Sequence, residues 1–333
     1  MKFVDVCCGG GGASLGATSA GFEVVLGVDV DVAALRVFKA NFPLAKTTNL
    51  ELPCDRKALK ALFPAEPYHI HICALLSEWS PTAREDLTLL KFGLDVALHS
   101  TAASWSIECS GEAAAGLLEE LKALRKPLDY VELDYADLGV PSHRVRLVAG
   151  SPSLIAALRH ASRYEKRYCS VADVFARHKQ QPRGTLVRSG SVAASAPTGT
   201  KRRNCKVVDE RANALTTRLC LSWGIPPRDP GDEFALRPFT IEEGVLVAGL
   251  PPSFKLGEKR AVARRLVGSA TPPALLKTML EHYSRRVAIE GDDGGGDGGD
   301  DSLDASPPRK KPRLDNQATL EKFLRCAPAT GCL

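Results

Sequence analysis

The chain has 333 residues, 44% hydrophobic and 25% charged, which fits a folded globular protein large enough to bury a sizeable core. No apolar run reaches about 18 residues, so a membrane-spanning helix is not expected. The net charge of +5 is unevenly spread: residues 290–333 carry nine acidic and six basic residues, which leaves the rest at +8.

Twelve Lys or Arg fall within residues 151–206 against only Glu165 and Asp173. Such a block suits a surface that meets phosphates, or is a solvated basic face. The ten cysteines include no C-x-x-C pair, so zinc-ligand spacing is absent and no metal site is expected. MKFVDVCCGG enters a strand-like run without a signal-peptide layout, and reduced thiols in a cytosolic or nuclear compartment are the expectation.

In chain order, FVDVCC reads as a buried strand, SLGATSAG as a helix ending in glycine and EVVLGVDV as a second strand. DVAALRVFKANFP has helical apolar spacing and stops at Asn41-Phe42-Pro43. HIHICALL reads as a strand, TLLKFGLDVALHSTA as a helix and SWSIECS as another strand, followed by the extended runs LDYVELDYADLGV and RVRLVAGS. This alternation predicts an α/β domain over residues 1–150, built on a mostly parallel Rossmann-like sheet. Residues 151–235 are basic and weakly periodic, which predicts a small loop-rich lobe. Residues 236–286 turn regular again, with helices expected at TIEEGVLVAGL and ALLKTMLEHYSRRVAI. Residues 287–333 read as a disordered tail, because GDDGGGDGGDDSLDASPP cannot bury enough apolar surface to order itself.

DVCCGGGGASLG follows the first apolar run and opens a helix, and its glycines permit close backbone approach to a ligand. The second strand ends in GVDVD, an acid placed to hold the hydroxyls of a ribose. Taken together, DVCCGGGGASLGATSAGFEVVLGVDVDVAALRVFKANFP resembles the opening of DNA cytosine-5 methyltransferases, which bind S-adenosylmethionine with this turn. The Asp-x-x-Cys-Gly-x-Gly-Gly pattern is carried by Asp5, Cys8, Gly9, Gly11 and Gly12, with Cys7 where the family usually has phenylalanine. The resemblance implies that Asp29 is the ribose-binding acid, and it puts Asn49 near the next cofactor acid.

Later segments continue the resemblance. SIECS is similar to the family's Glu-Asn-Val, which implies that Glu108 hydrogen-bonds the cytosine ring and assists protonation at N3. LDYADLGVPSHRVRLVAGS is similar to Gly-x-Pro-Gln-x-Arg-x-Arg, with Ser142 for the glutamine and with Arg144 and Arg146 implied to position the base. ERANALTTR resembles the end of a target-recognition region. RPFTIEEGVLVAGLPPSFKL carries the family's Arg237, Pro238, Thr240 and Glu243, and RLVGSATPPALLKTML is similar to the closing segment, with Ser269 in place of an asparagine at the cofactor. The matches run over roughly residues 1–285, and they imply an S-adenosylmethionine-dependent methyltransferase fold with a small target-recognition lobe and DNA as the substrate.

The nucleophile is the exception. Anchored on Trp79-Ser80, Ala74-Leu75-Leu76-Ser77 aligns with the family's Pro-Pro-Cys-Gln, so Leu76 stands where a thiolate should add to cytosine C6. Ser77 has no evident base, and Cys73 lies three residues early. Cys109, beside Glu108, is the candidate if the chemistry follows RNA cytosine-5 methyltransferases. Three readings therefore stand open: a DNA cytosine-5 methyltransferase-like protein with impaired or lost chemistry, a non-catalytic DNA- or clamp-binding regulator, and an RNA methyltransferase using Cys109. In the tail, Arg309, Lys310, Lys311 and Arg313 resemble a nuclear localisation signal. Gln317, Leu320 and Phe323 have the spacing of peptides that dock on the DNA sliding clamp.

Overall fold

The computed structural model describes residues 1–73, 88–110, 128–184, 186–189, 205–207, 221–225 and 235–292, with positions 118, 119, 122, 209 and 212. The predictions at Leu76, at Ser77 and throughout the tail motifs lie outside the described residues. Residues 1–286 form one compact unit.

Seven strands make the main sheet: β1 (Lys2–Val6), β2 (Glu23–Asp29), β3 (Lys46–Asn49), β4 (Tyr68–Cys73), β5 (Ser104–Ser110), β6 (Asp129–Asp134) and β7 (Val145–Gly150). Their order is β3-β2-β1-β4-β5-β7-β6, and β7 alone runs against the others. The order reverses beside β1, so a crevice opens at the carboxyl ends of β1 and β4, where open α/β sheets bind ligands. The glycine turn after β1 lies at this point.

Helices cover both faces, which is why β4 is buried at all six positions. One face packs Val4, Ile70, Ile72 and Ile107 against Leu90 and Leu94 of α4 (Thr88–His99). The other packs Phe3 and Val148 against α1 (Gly12–Ser19), α5 (Pro152–Tyr164) and α9 (Pro273–Asp292). The remaining helices are α2 (Val32–Asn41), α3 (Arg56–Lys60), α6 (Val171–Arg177), α7 (Ile241–Val247) and α8 (Arg260–Ser269).

The lobe expected over residues 151–235 begins later in the structure. α5 packs on β6 and β7 through Leu154, Ile155 and Leu158, so the large domain continues past residue 150. A separate antiparallel sheet of order β11-β10-β8-β9 follows, from β8 (Leu186–Ser189), β9 (Cys205–Val207), β10 (Leu221–Ile225) and β11 (Ala235–Pro238). Its Trp223 stacks on Phe239 with ring centroids 4.5 Å apart and meets Phe175 edge-on at 5.2 Å.

Two motifs that look functional in the sequence prove to be fasteners. The Asn41 side chain donates to the Lys255 carbonyl at 2.8 Å and accepts from the Lys255 amide at 2.9 Å, so the Asn-Phe-Pro turn ties α2 to a segment more than 200 residues away. In Arg-Pro-Phe-Thr-x-x-Glu, Thr240 and Glu243 form a reciprocal capping box on α7, and Arg237 pairs with Glu243. Glu243→Ala should therefore cost about 2 kcal/mol in urea unfolding, while Ala at the exposed neighbour Glu242 stays within about 0.5 kcal/mol. Equal effects at the two positions would remove the fastener role.

Candidate functional site

The turn after β1 is shaped by its backbone. Cys7 and Gly9 adopt left-handed φ values of 57° and 52°, and Gly11 sits at 94°. A side chain at Gly11 would also lie 2.4 Å from the Phe42 ring, and one at Gly12 would lie 2.3 Å from the Thr271 carbonyl oxygen. Glycine at these two positions lets the turn and α1 close against α2 and the segment entering α9. Cys7, without that freedom, stores strain beside the ligand crevice.

Asp29 holds the turn from the other side. Its carboxylate accepts from the Gly9 amide and the Asp31 amide, both at 2.8 Å. Burial pushes the Asp29 carboxyl up, and these two backbone donors pull against it. Asp31 caps α2 and pairs with Arg265 of α8.

Between them lies a cavity of about 620 Å³. Six residues expected from the sequence at the cofactor line it, namely Asp5, Cys8, Gly9, Gly12, Asp29 and Ser269. Gly11 shapes the turn from behind. Asn49 does not line the cavity: its side chain donates to the Asp29 and Val30 carbonyls and clasps the end of β2. The acid facing the cavity is Glu51, two residues later, and Asp31 is a further lining acid that the sequence reading missed. Val30, Leu50, Leu52 and Leu266 supply apolar walls. A nucleoside carrying a cationic group would fit such a lining of carboxylates, glycine backbone and aliphatic side chains.

The cavity reaches the second cluster through two residues. Cys73 and Thr271 line it and both touch Glu108, whose Oε2 accepts from the Thr271 hydroxyl at 2.7 Å and lies 3.8 Å from the Cys73 sulfur. Glu108 is fully buried, with Arg146 Nε 3.6 Å from its other oxygen. Burial alone would raise its carboxyl, but Arg146 and then Arg144 outweigh that and hold it below the usual carboxylate range. The Tyr135 hydroxyl lies nearby in looser than ordinary hydrogen-bonding geometry and adds to the lowering of the Glu108 carboxyl.

The structure thus brings Glu108 and Arg146 together, as the sequence suggests. Arg144 is placed differently: its guanidinium donates to the Gly268, Ser269 and Ala270 carbonyls and so fastens the end of α8 behind Glu108. The Ser142 hydroxyl donates to the Val247 carbonyl.

Neither described thiol near Glu108 is a ready nucleophile. Cys109 points to the opposite face of β5 from Glu108, is fully buried with Ile70 and Leu147, and has a thiol pushed up to about 12 by burial. The candidate nucleophile of the RNA methyltransferase reading therefore sits as a packed thiol facing away from Glu108. Cys73 is on the right face, yet burial and then the Glu108 charge push its thiol up as well. Cys73 and Leu89, which bracket the segment containing Leu76, both line the cavity.

Asp5 provides a test of the cavity's electrostatics. It is fully buried, accepts from Ser14 at 2.6 Å and has its second oxygen unpartnered among the described residues. Burial raises its carboxyl from 3.8 to about 7. Between those values the native state binds more protons than the unfolded chain, so this group lowers stability as pH rises from about 4 to 7, and the full penalty remains above 7. Asp5→Asn should remove a loss on the order of 4 kcal/mol from the pH 4–7 stability profile. Parallel profiles for the two proteins would show that Asp5 ionises normally.

Comparisons with known proteins agree with this geometry. The family model for C-5 cytosine-specific DNA methylase matches residues 1–60, the stretch that holds the glycine turn and Asp29. Type II methyltransferase M.HgiDI of Herpetosiphon aurantiacus is 26% identical over 312 residues, covering 85% of this chain and 95% of that protein. Among solved structures, an E. coli prophage protein described as a DNA modification methyltransferase superposes with a TM-score of 0.59 at 14% identity, over 86% of this chain and 99% of that one. S. pombe Dnmt2 methyltransferase gives 0.58 at 14% identity over 88% and 99%. Motif order, sheet order and an alignment over most of the chain converge on the same likeness: the chain has the methyltransferase fold and is similar in sequence to DNA cytosine-5 methyltransferases.

Proposed function

We propose that the protein binds S-adenosylmethionine in the 620 Å³ cavity and receives a cytosine of DNA, turned out of the helix, beside Glu108, with methyl transfer to C5 impaired. When bound, the cofactor supplies an electrophilic methyl group. Gly9, Gly12, Asp5, Asp29 and Glu51 are the residues available to hold it, and Cys73 and Thr271 connect its cavity to Glu108. Glu108, ionised between Arg146 and Thr271, would accept hydrogen bonds from the ring edge and favour a proton at N3. The basic block of residues 151–206 would meet the phosphates.

One observation carries the proposal of impaired chemistry: Leu76 occupies the sequence position of the nucleophile, while Cys109, the candidate on the RNA methyltransferase reading, is buried on the face away from Glu108. Without addition at C6, C5 is not activated towards the methyl group.

The test is transfer of tritium from labelled S-adenosylmethionine to cytosine-rich duplex DNA, comparing the native chain with Leu76→Cys. The native chain should be silent and the variant should transfer label. Transfer by the native chain would overturn the reading and put another group in the nucleophile's role. The spacing of Gln317, Leu320 and Phe323 favours a second reading, a non-catalytic protein recruited to a nuclear sliding clamp. Silence in both forms, together with retention on an immobilised sliding clamp that Leu320→Ala removes, would carry that reading instead.

A further inference from the structure

The central strands of a sheet covered on both faces are ordinarily apolar on both. Here one face of β4 and β5 is polar throughout: His69, His71 and Cys73 stand beside Ser104, Ser106 and Glu108, each fully or almost fully buried. The other face of the same strands carries Ile70, Ile72 and Ile107. The polar side chains form a continuous chain. Ser104 Oγ lies 2.8 Å from His69 Nδ1, His69 Nε2 lies 3.0 Å from Ser106 Oγ, and Ser106 Oγ lies 2.8 Å from His71 Nδ1. The last ring nitrogen, His71 Nε2, faces Glu108 Oε2 at 3.9 Å with no closer partner among the described residues. Phe3 lies over both imidazoles, with centroids at 5.6 and 6.5 Å, and excludes water from that side.

Burial keeps both rings neutral near pH 7, His71 falling to about 4 and His69 well below its ordinary value. Each neutral ring has one N–H, and each serine has one O–H. With one hydrogen in each of the three contacts, three arrangements are open. In the first, Ser104 donates to His69 Nδ1, His69 Nε2–H donates to Ser106, Ser106 donates to His71 Nδ1, and His71 Nε2–H points at the carboxylate. In the second all donors reverse, and in the third Ser106 accepts from both rings; in both of these a lone pair on His71 Nε2 faces the carboxylate. A buried negative charge decides between them, because it attracts an N–H and repels a lone pair.

We propose that His71 is a positioning residue for Glu108: the facing carboxylate selects the Nε2–H tautomer, the serine–histidine chain accommodates it through Nδ1, and an N–H supports the carboxylate from within the sheet. The other groups around Glu108 are Arg146 and Arg144 beside β7, Thr271 before α9, Tyr135, Cys73 of β4 and, further off, Asp5 of β1. Arg146 and Thr271 hold the outer side, and His71 is the donor on the inner side. Glu108 then meets a ligand as an ionised acceptor, suited to an edge that offers an amino group next to a protonated ring nitrogen. This deepens the proposed function and rests on it for the identity of that ligand.

The tautomer claim is tested on the full chain without DNA, cofactor or turnover, by ring 15N shifts and long-range couplings of labelled histidine. Native His69 and His71 should both show protonated Nε2 and bare Nδ1. Glu108→Gln should change the tautomer population of His71, and any accompanying change at His69, relayed through Ser106, should disappear with Ser106→Ala in the Glu108→Gln background. His71→Phe, which keeps the ring stack and removes the N–H, should shift the Glu108 carboxyl titration upward, read by its 13C signal. Protonated Nδ1 on native His71, or an unmoved Glu108 titration in a folded His71→Phe protein, would overturn the proposal. Silence in the tritium experiment leaves these signals unaffected, so failure of the functional reading is separable from failure of this one.

Discussion

A carboxylate buried at the heart of the sheet is the constraint around which the site is organised. Taking Glu108 out of water costs several kcal/mol unless the protein restores its partners. Those partners come from four parts of the chain: Arg146 on β7, Thr271 before α9, His71 on β4, and Arg144, which adds its charge while fastening α8. Because Arg144 is held by three carbonyls at the end of α8 and Thr271 opens α9, the charge can be satisfied only when the carboxy-terminal helices have closed over the first strands. The same closure brings the Thr271 carbonyl against Gly12 and completes the cavity wall.

This coupling explains how a chain can keep a methyltransferase scaffold while the expected nucleophile position reads leucine. The glycine turn, Asp29, the Asn41 clasp and the Thr240–Glu243 capping box all contribute to holding the fold, so their side chains are required whether or not a methyl group moves. A thiolate in the loop after β4 would be required only for chemistry. Losing it costs the fold nothing that these contacts supply.

Much of the fold was legible because its strands are buried apolar runs and its turns carry glycine or Asn-Phe-Pro. The strands β1, β2, β4 and β5 and the helices α1, α2 and α4 lie where periodicity puts them. α5 was missed because its sequence sits in a basic stretch, where charge on its outer face hid the apolar stripe of Leu154, Ile155 and Leu158. The second sheet was missed because its strands are three to five residues long and separated by polar segments. Within the site, Glu108 and Asp29 could be read from strand ends. Glu51 could not, because the bend that turns it into the cavity has no local signal, and Asn49 occupied the expected register. The polar ladder was visible as HIHIC and SWSIE, but only strand pairing shows that its members meet.

The most direct measurement is calorimetric titration of S-adenosylmethionine into the full native chain and into Gly12→Leu, whose side chain would drive into the Thr271 carbonyl and the cavity wall. The account predicts saturable one-site binding by the native chain, lost in the variant, with Leu76 unchanged in both. A folded native chain that takes up no S-adenosylmethionine would contradict it.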